Sequence, residues 1–518
     1  MSIFPAPVWY NDCIMKFLLT AVNAKFIHSN PAVYSLKAYA GLFSHADIEI
    51  AEYTINETPD EILSGIYERH PDFIGFSCYI WNRETVFRII PELKKILPDV
   101  IIWLGGPEVS YCAEEILSAY PEVTGITTGE GEHSFSELVQ AYEKDTVDLQ
   151  NIHGIVFRKS GNTKPGSRAS FISTPPLILD DLSAIPFLYQ DTDPQRFENR
   201  ILYYESSRGC PFSCSYCLSS IDRRLRFRRM DIVKKELQYF LDHRVRQVKF
   251  VDRTFNANES HAIAIWQYLK DHDNGVTNFH FELEAELITE KELELLSSLR
   301  PGLIRTEIGV QSTNQKALSF VNRRSDFSRL SSVVTRILRA GNIPVHLDLI
   351  AGLPFEDYQS FSRSFDDVYS LHPDELQLGF LKILKGTQIE KDTESCGISY
   401  RSFPPYEVLS TRWLSYEDVL RLKKIEAVLE IYHNSGQFRN SLPLLEKQFE
   451  RPFLLYENLA AFYEKKNAAA ESFSQQKRFD LLLDFFEAFG EKNQLSLFRE
   501  QLTSDFNLNK RKRYRHTF

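Results

Sequence analysis

The sequence predicts an α/β protein with a Rossmann-like (flavodoxin-like) domain first, a partial, TIM-like (β/α)6 barrel in the middle and an α-helical domain at the C-terminus. Three observations carry this. Residues 15–143 alternate short apolar β-type runs with amphipathic helical runs, the pattern of a parallel sheet covered by helices. Residues 200–395 repeat the strand–helix unit six times, short of a full eight-unit barrel. From residue 396 onward the β-type runs give way to long segments rich in Leu, Phe and Tyr.

Composition sets outer limits. A chain of 518 residues suggests about three or four domains, and a hydrophobic fraction of 43% supports large cores. The formal charge of −10 disfavours nucleic acid as a partner. Seven cysteines, an odd number with three clustered, form no disulfide framework and suit a reducing cytoplasm. No apolar run is long enough to span a bilayer. Residues 1–14 read as an N-terminal extension without the basic start and cleavage site of a signal peptide. The first strand pattern begins at Met15, so either Met1 or Met15 is the expected start, and Cys13 has no assigned role.

In the first domain the strands fall at 17–22, 48–53, 73–79, 100–104 and 125–128, with helical spacing between them, as in 85–97. Ligands on such sheets bind beyond the carboxyl ends of the strands. Those ends carry His28 in the segment Phe26–Pro31, then Ser77-Cys78-Tyr79, Gly105-Gly106 and Gly129-Glu130. Small residues there let a bulky ligand approach the backbone. The interval between Ser77-x-Tyr79 and Gly105-Gly106 resembles that of cobalamin-binding domains, which carry D-x-H-x-x-G after the first strand. The resemblance implies His28, Ser77, Tyr79, Gly105, Gly106, Gly129 and Glu130 as cobalamin contacts. The first motif departs from the family: Phe26 replaces its Asp and Pro31 its Gly. A metal-bound His needs an orienting acceptor, which Phe26 cannot supply. His28 is thus either a lower cobalt ligand or a loop histidine. Two other readings of the domain are an interaction module and, through Cys13, Cys78 and Cys112, a second cluster like that of the methylthiotransferases, a sister group whose spacing these cysteines do not match. Residues 144–199 read as an ordered linker, with a strand and turn at 151–166.

The barrel strands fall at 201–206, 247–251, 280–284, 304–310, 344–350 and 375–384. The first leads into Arg208-Gly209-Cys210-Pro211-Phe212-Ser213-Cys214-Ser215-Tyr216-Cys217. A structural zinc site wants four ligands, whereas three thiolates suit an iron–sulfur cube with one iron open. This C-x3-C-x2-C spacing, with an aromatic residue before the last cysteine, resembles the radical S-adenosylmethionine (SAM) enzymes. The resemblance implies that Cys210, Cys214 and Cys217 ligate a 4Fe-4S cluster. It also implies SAM contacts from Tyr216, from Asp252 after the second strand, from Glu307 and Gln311 on the fourth, and from Ile350 and Gly352 in the fifth-strand segment Asp348–Pro354. Glu282, Glu284 and Glu286 occupy alternate positions and hence one face of the third strand, either inward, with Glu284 on SAM, or as a solvent stripe. Gly386-Thr387 lies near the expected substrate mouth. Arg223, Arg224, Arg226, Arg228 and Arg229 form a basic run that meets an anion or starts a solvated helix. The extra helical domain, 396–518, resembles that of a subgroup of these proteins. It ends in a basic tail, 510–516, expected to fray.

Together these resemblances imply a cobalamin-dependent radical SAM enzyme: reductive cleavage of SAM to a 5′-deoxyadenosyl radical, then methylation of an unactivated carbon through methylcobalamin. Ring closure or rearrangement, and a non-catalytic cobalamin or iron–sulfur redox sensor, are the alternatives. The partners implied are a small-molecule or peptide substrate and a low-potential reductant such as flavodoxin or ferredoxin. No acid or base stands out as catalytic.

Overall fold

The computed structural model describes residues 15–144, 147–159, 170–190, 192, 197–466 and 474–515, with backbone alone for 510–515. The extension with Cys13, residues 160–166 of the expected turn and His516 lie outside the described residues. The chain forms two units, Met1–Tyr203 with Phe227–Arg229, and Tyr204–Arg226 with Met230–Phe518.

The first unit runs β1 (Lys16–Asn23), α1 (Pro31–Ala40), β2 (Asp47–Thr54), α2 (Pro59–Tyr67), β3 (Phe73–Ser77), α3 (Arg83–Ile96), β4 (Ile101–Gly105), α4 (Pro107–Ser110), α5 (Ala113–Ala119), β5 (Gly125–Thr127), α6 (Gly131–Tyr142), β6 (Ile155–Arg158) and β7 (Phe171–Ser173). Its sheet has the order β2-β1-β3-β4-β5-β6-β7. The first five strands pair in parallel, and β6 and β7 add antiparallel. Every residue of β1 after Lys16 is buried, as expected for a parallel strand covered on both faces. Helix α3 turns Val86, Phe87, Ile89, Ile90 and Leu93 onto Ile74, Ile102 and Leu104 of the sheet. Cys78 and Cys112 belong to the same apolar core, as small core residues rather than cluster ligands. Chain direction across the sheet reverses between β1 and β3, the switch point where doubly wound sheets bind ligands.

The segment expected as a linker contributes to this sheet. Ile155, Val156 and Phe157 are buried, so three apolar residues in a row cover β5 as β6 instead of crossing solvent. The returning chain holds Thr128 by its N–H, which donates to the Gly154 carbonyl at 2.7 Å.

The second unit opens at Tyr204, the last residue of β8 (Ile201–Tyr204), and the chain continues through β9 (Ser207–Arg208), β10 (Arg226–Phe227), α7 (Met230–Asp242), β11 (Gln247–Phe250), α8 (Glu259–Asp271), β12 (Asn278–Leu283), α9 (Glu290–Ser297), β13 (Ile304–Gln311), α10 (Gln315–Phe320), α11 (Phe327–Ala340), β14 (Val345–Ala351), α12 (Tyr358–Tyr369) and β15 (Glu375–Phe380). The sheet order is β15-β14-β13-β12-β11-β8, open at both ends. β13 and β14 alternate fully buried with half-buried residues, so one set packs under the helices and the other lines the inner face. Phe281 sits in the buried set, with Phe250 and Phe255 at ring distances of 4.4 and 4.3 Å and Trp266 at 6.1 Å.

Two short helices, α13 (Gln388–Lys391) and α14 (Thr393–Cys396), and a hairpin of β16 (Ser399–Tyr400) and β17 (Val408–Ser410) follow. The helices α15 (Tyr416–Leu429), α16 (Leu442–Glu446), α17 (Pro452–Lys465), α18 (Gln475–Phe489) and α19 (Leu495–Arg515) complete the chain. They belong to the barrel's unit. Tyr369 of α12 meets Tyr456 of α17 at 2.8 Å between hydroxyls. Asn434, in the turn after α15, bonds both the N–H and the carbonyl of Leu376 on edge strand β15, each at 2.9 Å. The basic tail expected to fray is helical as far as Arg515. Buried Asp505 anchors that helix, accepting from Asn440 and Ser441. No helix among the described residues is long and apolar enough to cross a membrane.

Truncating Phe281 to Ala removes the ring on which three aromatic neighbours close. The expected cost is about 3–5 kcal/mol, read as an earlier urea transition of the second unit followed by tryptophan fluorescence.

Candidate functional site

The cysteine loop is rooted in the second unit by one carboxylate. Asp252, just past β11, is 0% exposed. Its Oδ2 accepts the Ser206 N–H at 3.0 Å, and its Oδ1 accepts the hydroxyls of Ser206 and Ser207, each at 2.6 Å. Burial pushes its pKa up to about 7, against the three hydrogen bonds that favour the carboxylate. His261 Nε2 stands 3.0 Å from the Ser206 hydroxyl oxygen, its pKa brought down to about 4 by desolvation. Asp252, whose motif position implied a SAM contact, turns both oxygens to the root of the loop and is fully buried.

Beyond this root, Gly209 takes φ 97°, where a side chain would collide with the Arg224 carbonyl. Backbone bonds then set the loop's course. The Cys210 N–H donates to Asp222 O at 3.2 Å, the Ser215 N–H to Val321 O at 2.9 Å, and the Ile389 N–H to Ser215 O at 2.9 Å. Cys210 Sγ lies 3.4 Å from the Thr254 hydroxyl. Cys214 is buried, which pushes its thiol pKa up, while nearby Arg323 and a hydrogen bond to Tyr216 oppose the rise. Arg323 Nη1 stands 4.0 Å from Cys214 Sγ, and its other Nη reaches Glu284 at 3.0 Å and the Gly309 carbonyl. Burial raises the Glu284 pKa in spite of Arg323. Arg323 was not legible as a site residue; its link to the loop comes from β13 and the turn after α10.

Around this arginine, Glu284 Oε1, Gln311 Oε1, Ser215 Oγ and Arg323 Nε are buried without a hydrogen-bond partner. Buried polar atoms are normally satisfied, so this group is prepared for something polar. Three thiols on a pinned loop, with orphaned oxygens beside them, fit an iron–sulfur cluster and a polar ligand on its open iron.

The third-strand carboxylates do not share one face. Asn256 closes β12 by bonding both the N–H and the carbonyl of Glu284, each at 2.9 Å. Glu286 lies in the following turn and accepts from the Ser325 hydroxyl at 2.7 Å at the start of α11. Glu282 alone of the three stays on the strand, within an inner-face ion cluster that the sequence did not reveal. Glu307 meets Lys249 at 3.1 Å and His280 at 3.0 Å, and His346 meets Asp348 at 3.1 Å. Burial opposes the Glu307 charge, but the bonds from His280 and Lys249 outweigh it and hold its pKa down at about 2. Glu307 thus serves this cluster. Gln311, at φ 71°, ends β13, and Ile350 is half-buried on the same alternation as Asp348. Gly352 is buried at φ 92°, with Val408 filling its Cβ side, so any ligand contact there would be through backbone. In the arginine run, Arg226 pairs with Asp222 at 2.7 Å and Arg228 donates to the carbonyls of Leu182 and Ile185.

In the first unit the strand ends form a second site. Asn82, fully buried, donates to the carbonyls of Val22 and Ser77 and accepts the Tyr79 N–H at 2.8 Å, tying the ends of β1 and β3. Ser77 Oγ accepts from Asn30 at 3.2 Å. Tyr79 stacks on Trp81 at 4.5 Å and 4°, and Trp81 is 43% exposed, as Phe26 is at 65%. His28 Nδ1 lies 2.8 Å from the Tyr203 hydroxyl, the orienting partner that Phe26 could not be. Gly105 and Gly106 leave no room for a side chain, the first against the Thr127 hydroxyl and the second, at φ 108°, against the Cys78 carbonyl. Bare backbone next to exposed aromatic rings fits a large planar ligand. Gly129 and Glu130 are less open than their motif implied: Pro176 lies 3.3 Å from the Cβ position of Gly129, and Glu130 accepts the Leu179 N–H at 3.3 Å. The chain leaving β7 occupies that end.

Residues 18–139 match the family described as B12 binding domain, residues 204–368 the radical SAM superfamily, and residues 394–518 a family described as protein of unknown function DUF4080. The chain is 26% identical over 317 residues to the cobalamin-dependent radical SAM methyltransferase TokK of Streptomyces tokunonensis, covering 58% of this chain and 45% of the relative. It is 23% identical over 350 residues to the anaerobic magnesium-protoporphyrin IX monomethyl ester cyclase of Rubrivivax gelatinosus, covering 65% of this chain and 61% of that one. It therefore spans about half the length of the curated relatives it matches. The cobalamin-dependent SAM radical enzyme OxsB, solved with aqua-cobalamin and SAM, shares the fold at TM-score 0.66 and 16% identity, covering 97% of this chain and 80% of that one.

The Asp252 carboxyl has a consequence for stability. With its pKa about 7 in the fold against an ordinary value near 4, the native state holds the proton more tightly. Stability from this group is present below about pH 4 and is lost as pH rises to about 7. Asp252→Asn should flatten that slope, by an order of 3–4 kcal/mol across the window. Urea midpoints of both proteins at pH 5 and pH 8 check it.

Proposed function

From a chain that joins a B12-binding domain to a radical SAM domain and is homologous to cobalamin-dependent radical SAM methyltransferases, we propose a cobalamin-dependent radical SAM methyltransferase that acts on an unactivated carbon of a small molecule or peptide. The observation that carries it is the loop of Cys210, Cys214 and Cys217, pinned at the end of β8 beside orphaned polar atoms, in a chain that also has a bare-backbone, aromatic-rimmed sheet end. When bound, the cluster supplies the electron that cleaves SAM, and cobalamin carries the methyl group.

The chain's own residues bind and orient. The three thiols hold the cluster. Arg323 places positive charge beside Cys214 and offsets the negative charge that thiolates bring into a buried site. Tyr216, beside Cys214, favours its thiolate. Glu284 and Gln311 offer unpaired oxygens to the amine or hydroxyls of SAM, and Ile350 offers apolar surface. Ser77, Tyr79, Gly105 and Gly106 take cobalamin against the first sheet, with His28 held toward it by Tyr203. A low-potential flavodoxin or ferredoxin would supply the electron. The clustered thiols of Cys210, Cys214 and Cys217, free among the described residues, suit a reducing cytoplasm. The cyclase relative favours ring closure as the second reading.

Anaerobic reconstitution with iron, sulfide and cobalamin, followed by dithionite and SAM, should yield 5′-deoxyadenosine and protein-bound cobalamin. Methyl-labelled SAM then separates methylation from ring closure, and a loaded cluster without deoxyadenosine would move the reading to a sensor. Cys214→Ala should abolish deoxyadenosine formation and leave cobalamin binding intact. Gly105→Val, whose side chain meets Thr127, should do the reverse and lower retained cobalamin about tenfold or more, since a clash of about 1–3 kcal/mol is placed at the ligand face. Equal cobalamin occupancy in that variant would remove this face from the reading.

A further inference from the structure

Away from both sites, three side chains of metal-binding type meet on the first unit. His133 and Glu137 stand one turn apart on the outer side of α6, and His153 comes from the loop entering β6. Both imidazoles address one oxygen: His133 Nε2 is 3.3 Å and His153 Nδ1 is 3.0 Å from Glu137 Oε1. One ligand atom from each residue lies within 4.8 Å of the others, and the two rings stack at 5.6 Å. Tetrahedral donors around a zinc ion at bonds of about 2.0–2.2 Å stand about 3.3 Å apart. Two of the three pairs already have that separation.

Further features suit an ion. Two imidazoles and one carboxylate are a borderline-soft set that zinc-class ions take when a fourth position is left to water. The side chains are 26%, 22% and 42% exposed for His133, Glu137 and His153, so a hydrated ion can reach them. The carboxylate is already oriented: Glu137 Oε2 accepts the His153 backbone N–H at 2.7 Å, and His153 Nδ1 lies 3.0 Å from Oε1 and 3.2 Å from Oε2. Such outer hydrogen bonds fix metal-binding carboxylates.

We propose that His133, Glu137 and His153 bind one divalent transition ion of the zinc class, with water completing its shell. The ring protons now directed at Glu137 move to the other ring nitrogens or to water. The ion fastens the loop before β6 to α6. Because Gly154 follows His153 and holds the Thr128 N–H, the ion also fixes the end of β5. Strands β6 and β7 extend the sheet, and the ion would be the clamp between that extension and the part of the unit that matches the B12-binding family. The proposal does not depend on the catalytic reading.

The test uses the full chain with its 4Fe-4S cluster assembled, so that Cys210, Cys214 and Cys217 are occupied. Zinc chloride is titrated calorimetrically into this protein and into a His133→Ala, His153→Ala double variant. One equivalent is expected to bind the wild type and none the variant, with zinc raising the wild-type Tm by about 5 °C and leaving the variant unmoved. Equal stoichiometry in both proteins, or no zinc bound to the wild type, overturns the proposal. Zinc-edge X-ray absorption of the wild type settles the matter even if the variant fails to fold. Two imidazoles with oxygen neighbours are expected, and a sulfur shell would refute the assignment.

Discussion

A carboxylate shut away from water governs the second unit. An unpaired charge at Asp252 would be costly there, and one N–H and two hydroxyls from the residues that leave β8 offset part of its desolvation, the rest showing as a raised pKa. A hydrophobic residue could fill the same space, but it could not fix the direction in which Ser206 and Ser207 send the chain. The anchor's value is in specifying one course for the loop rather than in net stability. From that root the positive φ of Gly209 and the backbone bonds at Cys210 and Ser215 follow in sequence, and the thiols stand where these bonds put them.

The first unit solves a related problem with amides in place of a carboxylate. Its strand ends, the face proposed above for cobalamin, carry glycine backbone and need a side chain to join them. Asn82 does this from below, satisfying two carbonyls and one N–H with a single side chain. The outer surface is thereby left to glycine backbone and to the rings of Tyr79 and Trp81.

Much of this was legible in the residues. The parallel strands were found because apolar runs of four to six residues recur between helical ones, and the cysteine loop was singled out because its C-x3-C-x2-C spacing resembles that of radical SAM enzymes. The turn of Asp252 to the loop root and of Glu286 to the start of α11 was not legible, because spacing gives a carboxylate's place on a strand end but not whether it turns to solvent, core or a neighbouring helix. Lys249, His280, His346 and Arg323 escaped because each is one polar residue on a different element, and their meeting depends on sheet register. β6 falls within the strand read at the start of the linker, but its pairing with β5 was not legible, and β7 escaped because it is three residues long, with prolines close behind.

Asn434 has a bearing on how this chain behaves in a crowd. β15 ends an open sheet, and such an edge offers free N–H and C=O groups to any extended peptide. At Leu376 the Asn434 amide imitates one peptide unit of an added strand and uses up both groups. The helices after the barrel thus act as a bolt against recruitment, and a chain cut before residue 434 would carry an adhesive seam.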